Sequence, residues 1–440
     1  MRTAKYTIIA LCLLIYVAAV YVVTTPSLLS ASSPARLQSS PESDLKVPPP
    51  EETVSLIDRI ILTLTNHPAT SIGIQWRSNK TLKNPQLVQY LPTPESEIDP
   101  QTAKSVLAQK KKSTDNSFEH WQTTLTSLTP ETSYSYRVGN QDHWSEWFQL
   151  MTAADHNKPF NILFFGDIQE GIKEQWPRIF RNAWLTHPDA SFMLFVGDLV
   201  NKPDSGTEWH DFFQSLGWLA SIKPMVAIPG DHEYNDKILS PFWNKHFQFP
   251  AYEPDTSCPL NNTAYYFDYQ GIRFIALNTY AMRGLKLKET LQQYQWIKQL
   301  LENNPNNWTV VFQHEEAWSS ALGKSDKHHL KLLFAPLYEQ YNVDLILQGD
   351  SHVYSRGQRK TKENQRLLPV YISSSSGTKF RHSSSNWADR QGEFLQLYQH
   401  ISFGNNQLVF KSITATGRIF DQFTIKTDSR GKSVLQKPPS

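Results

Sequence analysis

A chain of 440 residues has room for two or three domains, each with its own core. Charged residues make up only 19% and the formal net charge is +2, so there is no electrostatic footprint for nucleic acid, and none is expected as a partner. The densest basic cluster, Lys110-Lys111-Lys112, reads as a solvated loop. Of the two cysteines, Cys12 falls in an N-terminal apolar stretch, which leaves Cys258 alone and rules out an internal disulfide in the remainder. The folded regions must stand on their cores.

In chain order, Thr7–Val23 carries no charge and comes after Arg2 and Lys5, the pattern that holds an N-terminus inside and exports the downstream chain. Residues 1–25 are therefore expected to be a signal anchor, or a signal peptide if cleaved, with small residues Ser30 and Ser32 as a weak cleavage site. Residues 26–54 are rich in Pro and Ser, with Pro48-Pro49-Pro50 near the end, and read as an extended tether. The expected location is membrane-anchored with the domains outside the cytoplasm, periplasmic or extracellular, or secreted if the segment is removed. Asn79, Asn261 and Asn307 each open an Asn-x-Thr pattern, which reads as chance occurrence.

Over 55–155, short alternating runs at Ile60–Leu64, Ser71–Trp76, Trp121–Leu125, Ser133–Val138 and Trp144–Met151 predict a small antiparallel sandwich. From 158 to 427 the pattern changes to unbroken apolar runs that end in Asp or His. Ile162–Phe165 leads to Gly166-Asp167, Phe192–Val196 to Gly197-Asp198, and Met225–Ile228 to Gly230-Asp231-His232-Glu233. Thr309–Phe312 then leads to His314, and Leu345–Leu347 to Gly349-Asp350-Ser351-His352. Buried strands read as continuous apolar runs, and ligands of such α/β sheets gather beyond the strands' carboxyl ends. Tyr265–Tyr269 and Gly271–Asn278 predict a hairpin about Gln270-Gly271, and Leu285–Asn303 a helix that covers the sheet. Residues 428–440 are expected as a tail.

One Gly-Asp after a strand is weak evidence, because acidic residues often cap the next helix. Five strand ends that each deliver Asp or His are another matter. Hydrolysis with two metals needs carboxylate and imidazole donors converging from several elements, with one carboxylate shared. The ordered series resembles the calcineurin-like metallophosphoesterases, and among them the purple acid phosphatase-like enzymes, which carry a fibronectin type III-like domain before the catalytic one. That resemblance implies an α/β four-layer (α/β/β/α) metallophosphoesterase sandwich preceded by an all-β fibronectin type III-like sandwich. It implies that Asp167 and His352 bind a first metal, that Asp198 bridges, and that Asp231, His314 and Asp350 hold a second. A metal-bound hydroxide would attack phosphorus, with His232 near the leaving group. Gln169, Asn201, Glu233, Tyr354 and Arg356 are candidates for the metals or their supporting shell.

Several positions depart from the family pattern. Asp231 replaces the usual Asn, Asp350 replaces a His, and Asn201 stands where the purple enzymes place their colour-giving Tyr. Four aspartates would neutralise two divalent ions completely, and oxygen-rich ligation favours manganese or magnesium, with zinc or iron as the alternatives. The expected activity is hydrolysis of small phosphorylated substrates outside the cytoplasm by a phosphatase or phosphodiesterase. The alternative is a catalytically weakened or inactive binding module on the same fold. Glu315, Glu316 and Trp318 are expected to line the cleft, and His382 with Arg381 to reach a phosphate. His187, His210, His246, His328 and His329 read as surface or packing residues. Monoester versus diester, and the oligomeric state, stay open.

Overall fold

The unbroken apolar runs form strands that are buried on both faces, and the side chains sort by parity. In the strand Ile272–Leu277, Phe274 and Ala276 join one core while Ile275 and Leu277 join another; Val310 and Phe312 separate from Val311 in Trp308–Gln313 in the same way. A strand with apolar neighbours on both sides has no polar face to show in its sequence. The computed structural model describes residues 56–82, 85–112, 117–251, 260–284, 286–359, 369–428 and 431–436.

Two sheets lie at the centre. In the first, Phe160–Phe165, Met193–Phe195 and Met225–Ala227 run parallel, flanked on one side by the antiparallel strands Leu397–Phe403, Gln407–Thr414 and Ile419–Asp428. In the second, Ile272–Leu277, Trp308–Gln313, Leu345–Gln348 and Val370–Ser373 run parallel, with Tyr265–Tyr269 at one edge and Tyr354–Gly357 and Arg390–Gly392 at the other. The aromatic core between them includes Phe160, Phe192, Phe274 and Phe403.

Helices cover the outer faces. Trp176–Thr186 buries Trp176, Ile179, Phe180 and Ala183, the i, i+3, i+4, i+7 stripe of an amphipathic helix. Gly206–Leu216 starts at Ser205, whose hydroxyl accepts the N–H of Glu208 at 3.2 Å, and buries Trp209, Phe212, Phe213 and Leu216. On the second sheet, Leu287–Glu302 buries Trp296, Ile297, Leu300 and Leu301 against Ile275, Val311 and Ile346. The layer order is helix, sheet, sheet, helix.

The N-terminal strands do form a sandwich, but one of its sheets is continuous with the first central sheet. Ile57–Thr63 pairs antiparallel with Ile72–Asn79 and, through Thr63 opposite Met225, parallel with Met225–Ala227. Leu87–Pro92, Lys104–Leu107, Ser133–Gly139 and Phe148–Met151 make the facing sheet. Side chains reinforce the junction: the Tyr136 hydroxyl donates to the Ser221 carbonyl at 2.6 Å, and the Thr63 hydroxyl donates to the Gln248 carbonyl at 2.8 Å. The Lys110–Lys112 run is not a solvated loop throughout. Lys111 is partly buried and its ammonium donates to the Phe247 carbonyl at 2.8 Å, because the edge strand Gln109–Lys110 aims the next residue at the end of the helix Pro241–His246.

The expected tail at 428–440 is also corrected in part, since Gly431–Gln436 pairs antiparallel with Ile419–Asp428 and extends the first sheet. The anchor expected at 1–25 and the tether at 26–54 lie outside the described residues, as does Cys258. Among the described residues no helix is long and apolar enough to cross a membrane.

Candidate metal centre

The parallel strands of both sheets end at one place. From the first sheet come Asp167, two residues past Phe165, Asp198, three past Phe195, and Asp231, four past Ala227. From the second come His314, directly after Gln313, and then Asp350 and His352 after Gln348. Two glycines make this convergence sterically feasible. A Cβ on Gly349 would sit 2.1 Å from Asp167 Oδ1, and one on Gly230 would sit 2.2 Å from Asp198 Oδ1. Asp198, Asp350 and His352 themselves adopt φ of 52°, 68° and 56°, a region disfavoured for side chains with a Cβ. Such strain gathers where surrounding structure enforces a functional geometry.

Asp167, Asp198 and His352 form the deeper half. Asp167 Oδ2 and His352 Nδ1 lie 3.2 Å apart, both are buried, and neither has a hydrogen-bond partner among the described residues. Buried polar atoms left without a well-formed hydrogen bond are costly, and a cation bound at this edge would satisfy both. Burial pushes the pKa of Asp167 well up, with the Asp198 charge adding to it, and burial raises that of Asp198 as well. Burial, with Lys379 and Lys324 nearby, lowers the His352 pKa to about 2, so its imidazole stays neutral and fit to ligate. Gln169 steadies this half. Its amide donates to Asp198 Oδ2 at 2.6 Å while its carbonyl accepts Lys379 Nζ at 2.8 Å. The side-chain donors of Asp167 and Asp198 converge with His314, and His352 Nδ1 stands 3.2 Å from Asp167, a donor set whose chemistry fits a divalent ion.

The shallower half is different. Asp198, Asp231, His314 and Asp350 do come together, in three overlapping triads of side-chain donors: Asp198 with Asp167 and His314, Asp198 with Asp231 and His232, and Asp350 with Asp231 and His314. His314 Nδ1 donates to the Val196 carbonyl at 2.7 Å, and Nε2 faces Asp231 Oδ1 at 3.2 Å and Asp198 Oδ1 at 3.3 Å. Only a proton or a metal ion on Nε2 makes that approach favourable. Asp231, however, is already paired with Arg283 at 3.2 Å, and Asp350 is in contact with Lys324. Burial alone would raise both carboxyl pKa values; His314 and these cations hold them below the usual range. The expectation of four free aspartates balancing two divalent ions is therefore corrected, because the protein supplies its own cations to two of them.

The remaining candidates separate into those at the site and those away from it. Glu233 is buried and its carboxylate accepts the N–H groups of Asp198, Leu199 and Gly230 at 2.8, 2.8 and 2.7 Å, locking two of the strand-end turns together. His232 donates through Nδ1 to the Asn201 carbonyl at 2.6 Å, which leaves Nε2 as the nitrogen for proton transfer. Asn201 thus acts through its backbone. Tyr354 and Arg356 do not join the centre: both bind the buried carboxylate of Asp421, the hydroxyl at 2.7 Å and Nε at 2.6 Å. They tie the second sheet to the first. Glu316 turns away to Ser351 and the Ser320 N–H, Trp318 packs on Tyr371, and His382 pairs with Glu393 in solvent, so of the expected cleft residues beyond the ligands Arg381 remains in the lining, while Glu315 is buried behind it and holds Arg283 and Lys327.

Sequence reasoning missed Arg283, Lys324, Lys327 and Lys379. All line a cleft of about 460 Å³ together with Asp198, Asp231, His232 and Asp350. The only available signal was indirect: two aspartates in place of neutral ligands require compensating charge from somewhere.

Comparison with known proteins agrees with this architecture. Residues 160–354 match the calcineurin-like phosphoesterase family, and residues 57–152 match the purple acid phosphatase N-terminal domain. Acid phosphatase type 7 of Danio rerio is 25% identical over 279 residues, covering 56% of this chain and 57% of that protein. Purple acid phosphatase 23 of Arabidopsis thaliana is 25% identical over 321 residues, covering 64% of this chain and 68% of that protein. The chain thus spans less than two thirds of the first relative and slightly more of the second. In fold it is similar to a purple acid phosphatase isolated from yellow lupin (Lupinus luteus) seeds, with a TM-score of 0.70, 17% identity, and coverage of 85% of this chain and 75% of that one.

Proposed function

The chain joins a purple acid phosphatase N-terminal domain to a calcineurin-like phosphoesterase domain, and from that premise we propose that it hydrolyses phosphate esters in the cleft at the strand ends. The observation that carries this is the buried, unpaired edge formed by Asp167 Oδ2 and His352 Nδ1 beside Asp198. Asp167, Asp198 and His352 would hold a divalent ion, which when bound activates water and neutralises phosphoryl oxygens. A second ion would find donors in Asp198, Asp231, His314 and Asp350, with Arg283 and Lys324 competing for two of them. Manganese and magnesium are favoured by the oxygen-rich set, ahead of zinc and iron.

The chain's own groups account for the rest of the chemistry. Lys327, Lys379 and Arg381 line the cleft and attract an anionic substrate. His232, its Nδ1–H held by the Asn201 carbonyl, would as the imidazolium give its Nε2 proton to the departing alkoxide and be left as the neutral Nδ1–H tautomer. A space of about 460 Å³ admits a small phosphorylated molecule. The site of action is proposed to be outside the cytoplasm, on the support of the uncharged Thr7–Val23 run behind Arg2 and Lys5. A reporter enzyme that works only after export, fused behind residue 54, would stay silent if this is wrong.

Hydrolysis of a chromogenic phosphate monoester and diester, with each divalent ion in turn, tests the main reading. Turnover that needs the ion and disappears in Asp198→Asn supports it. A second reading, a binding module with weakened catalysis, is favoured by the cations on Asp231 and Asp350. Absence of turnover with every ion, from a protein with an intact thermal melt, would decide for that reading.

A further inference from the structure

The two halves of the centre differ in how their charge is met. Around Asp167 and His352, buried polar atoms face one another without a partner among the described residues. Around Asp231 and Asp350 a closed ionic network is already in place. Arg283 reaches Asp231 at 3.2 Å and Glu315 at 2.6 Å; Lys327 reaches Glu315 at 2.9 Å and Asp350 at 4.0 Å; Lys324 contacts both the side chain and the backbone carbonyl of Asp350. Three carboxylates thus meet three cations. Glu315 is fully buried, so it fixes Arg283 and Lys327 rather than leaving them to solvent.

We propose that this centre binds a single divalent ion, at Asp167, Asp198 and His352, and that Lys324 with Arg283 supplies the positive charge of the second position. This rests on the proposed occupancy of the deeper half by a divalent ion. The two departures from the family pattern then explain each other. An Asn and a His offer a metal neutral donors, whereas Asp231 and Asp350 offer carboxylates that pair with guanidinium and ammonium groups. An ion entering the second position would have to displace Lys324 from Asp350 and would leave three cations and a metal around four carboxylates, Asp198 included. Arg283 and Lys324, both in the cleft, are placed to meet phosphoryl oxygens in the role the second ion would have filled.

The test counts ions on the full chain. Metal-free protein is dialysed against manganese, bound metal is measured by elemental analysis, and the bound manganese is read by electron paramagnetic resonance. The wild type is expected to retain one tight ion per chain with the six-line spectrum of an isolated centre. Lys324→Met should gain a second ion at least about tenfold more tightly than the wild type, the scale on which residues around a metal tune its affinity, with the exchange-coupled spectrum of a close pair. Two tight ions and a coupled spectrum in the wild type overturn the proposal. A single ion in both proteins overturns the part given to Lys324. If Lys324→Met does not fold, the wild-type stoichiometry and spectrum still decide. No bound ion at all, with the same result in Asp198→Asn, is a distinct outcome that sinks the underlying metal reading as well.

Discussion

Replacing Asp421 by Asn separates a structural role for Tyr354 and Arg356 from a catalytic one. Asp421 is 2% exposed and lies on Ile419–Asp428 of the first sheet, whereas Tyr354 and Arg356 lie on Tyr354–Gly357 of the second. Its Oδ2 accepts the Tyr354 hydroxyl and Arg356 Nε at 2.7 and 2.6 Å, and its Oδ1 accepts Arg356 Nη2 at 3.2 Å. An asparagine can keep its carbonyl at the Oδ2 position, but its amide then faces Nη2 and the Gln422 N–H, which Oδ1 accepts at 2.9 Å, donor against donor. Arg356, 5% exposed, then loses its hydrogen-bonded carboxylate. Breaking a buried pair in this way costs about 3–5 kcal/mol. Since two of four contacts survive, about 3–4 kcal/mol is expected. Urea unfolding followed by tryptophan fluorescence measures it, as a lowered midpoint at unchanged slope. Ion-dependent hydrolysis, assayed without urea on the folded variant, should stay within about twofold of wild type because Asp421 touches none of the candidate ligands. An unchanged midpoint combined with lost hydrolysis would refute the reasoning and return Tyr354 and Arg356 to the active centre.

Three further outcomes are expected. Glu233→Gln sets an amide N–H₂ against at least one of the backbone donors of Asp198, Leu199 and Gly230, so thermal stability should drop by about 2 kcal/mol and hydrolysis with it; an unshifted melt would show that the three contacts carry no weight. Gly349→Ala drives a Cβ to within 2.1 Å of Asp167 Oδ1, and manganese affinity measured by calorimetry should weaken by about 10–100-fold; wild-type affinity would contradict the close approach. His187 and His400 stack with centroids 3.8 Å apart, and burial, reinforced by the partner ring and Lys411 and opposed by Asp189, lowers the His400 pKa to about 4. A lowered histidine pKa gives stability that is complete above the unfolded value near 6.5 and is lost as pH falls toward 4. With its partial exposure discounted this amounts to about 1 kcal/mol. Urea midpoints of His400→Gln at pH 7 and pH 4.5 should differ less than those of wild type, and an equal difference would count against the stacked pair as the cause.

The strand ends that build the centre were legible because of how the strands are buried. Phe160–Phe165 and Leu345–Gln348 have apolar neighbours on both faces, so their sequences run unbroken to the residue where the backbone leaves the sheet. Leu87–Pro92 and Lys104–Leu107 escaped notice because they lie in a sheet with much exposed surface, and their side chains carry little apolar signal. The destination of Tyr354 and Arg356 was unreadable for another reason. His352 has φ of 56°, which breaks the two-residue alternation just before their strand, and their partner Asp421 comes 67 and 65 residues later. The cations of the cleft sit on loops, where no periodicity applies. Asp231 and Asp350 marked the positions that needed them without saying which residues would answer.

Oxygen-18 water gives the sharpest test of hydrolysis at this cleft. With manganese present, hydrolysis of a phosphate monoester in labelled water is followed by phosphorus-31 NMR, in which each bound oxygen-18 shifts the phosphate signal. Attack of water on phosphorus at the strand-end cleft predicts released phosphate that carries one labelled oxygen from the wild type, and none released from Asp198→Asn. Released phosphate without the label, or equal release from the Asp198→Asn protein, would contradict it.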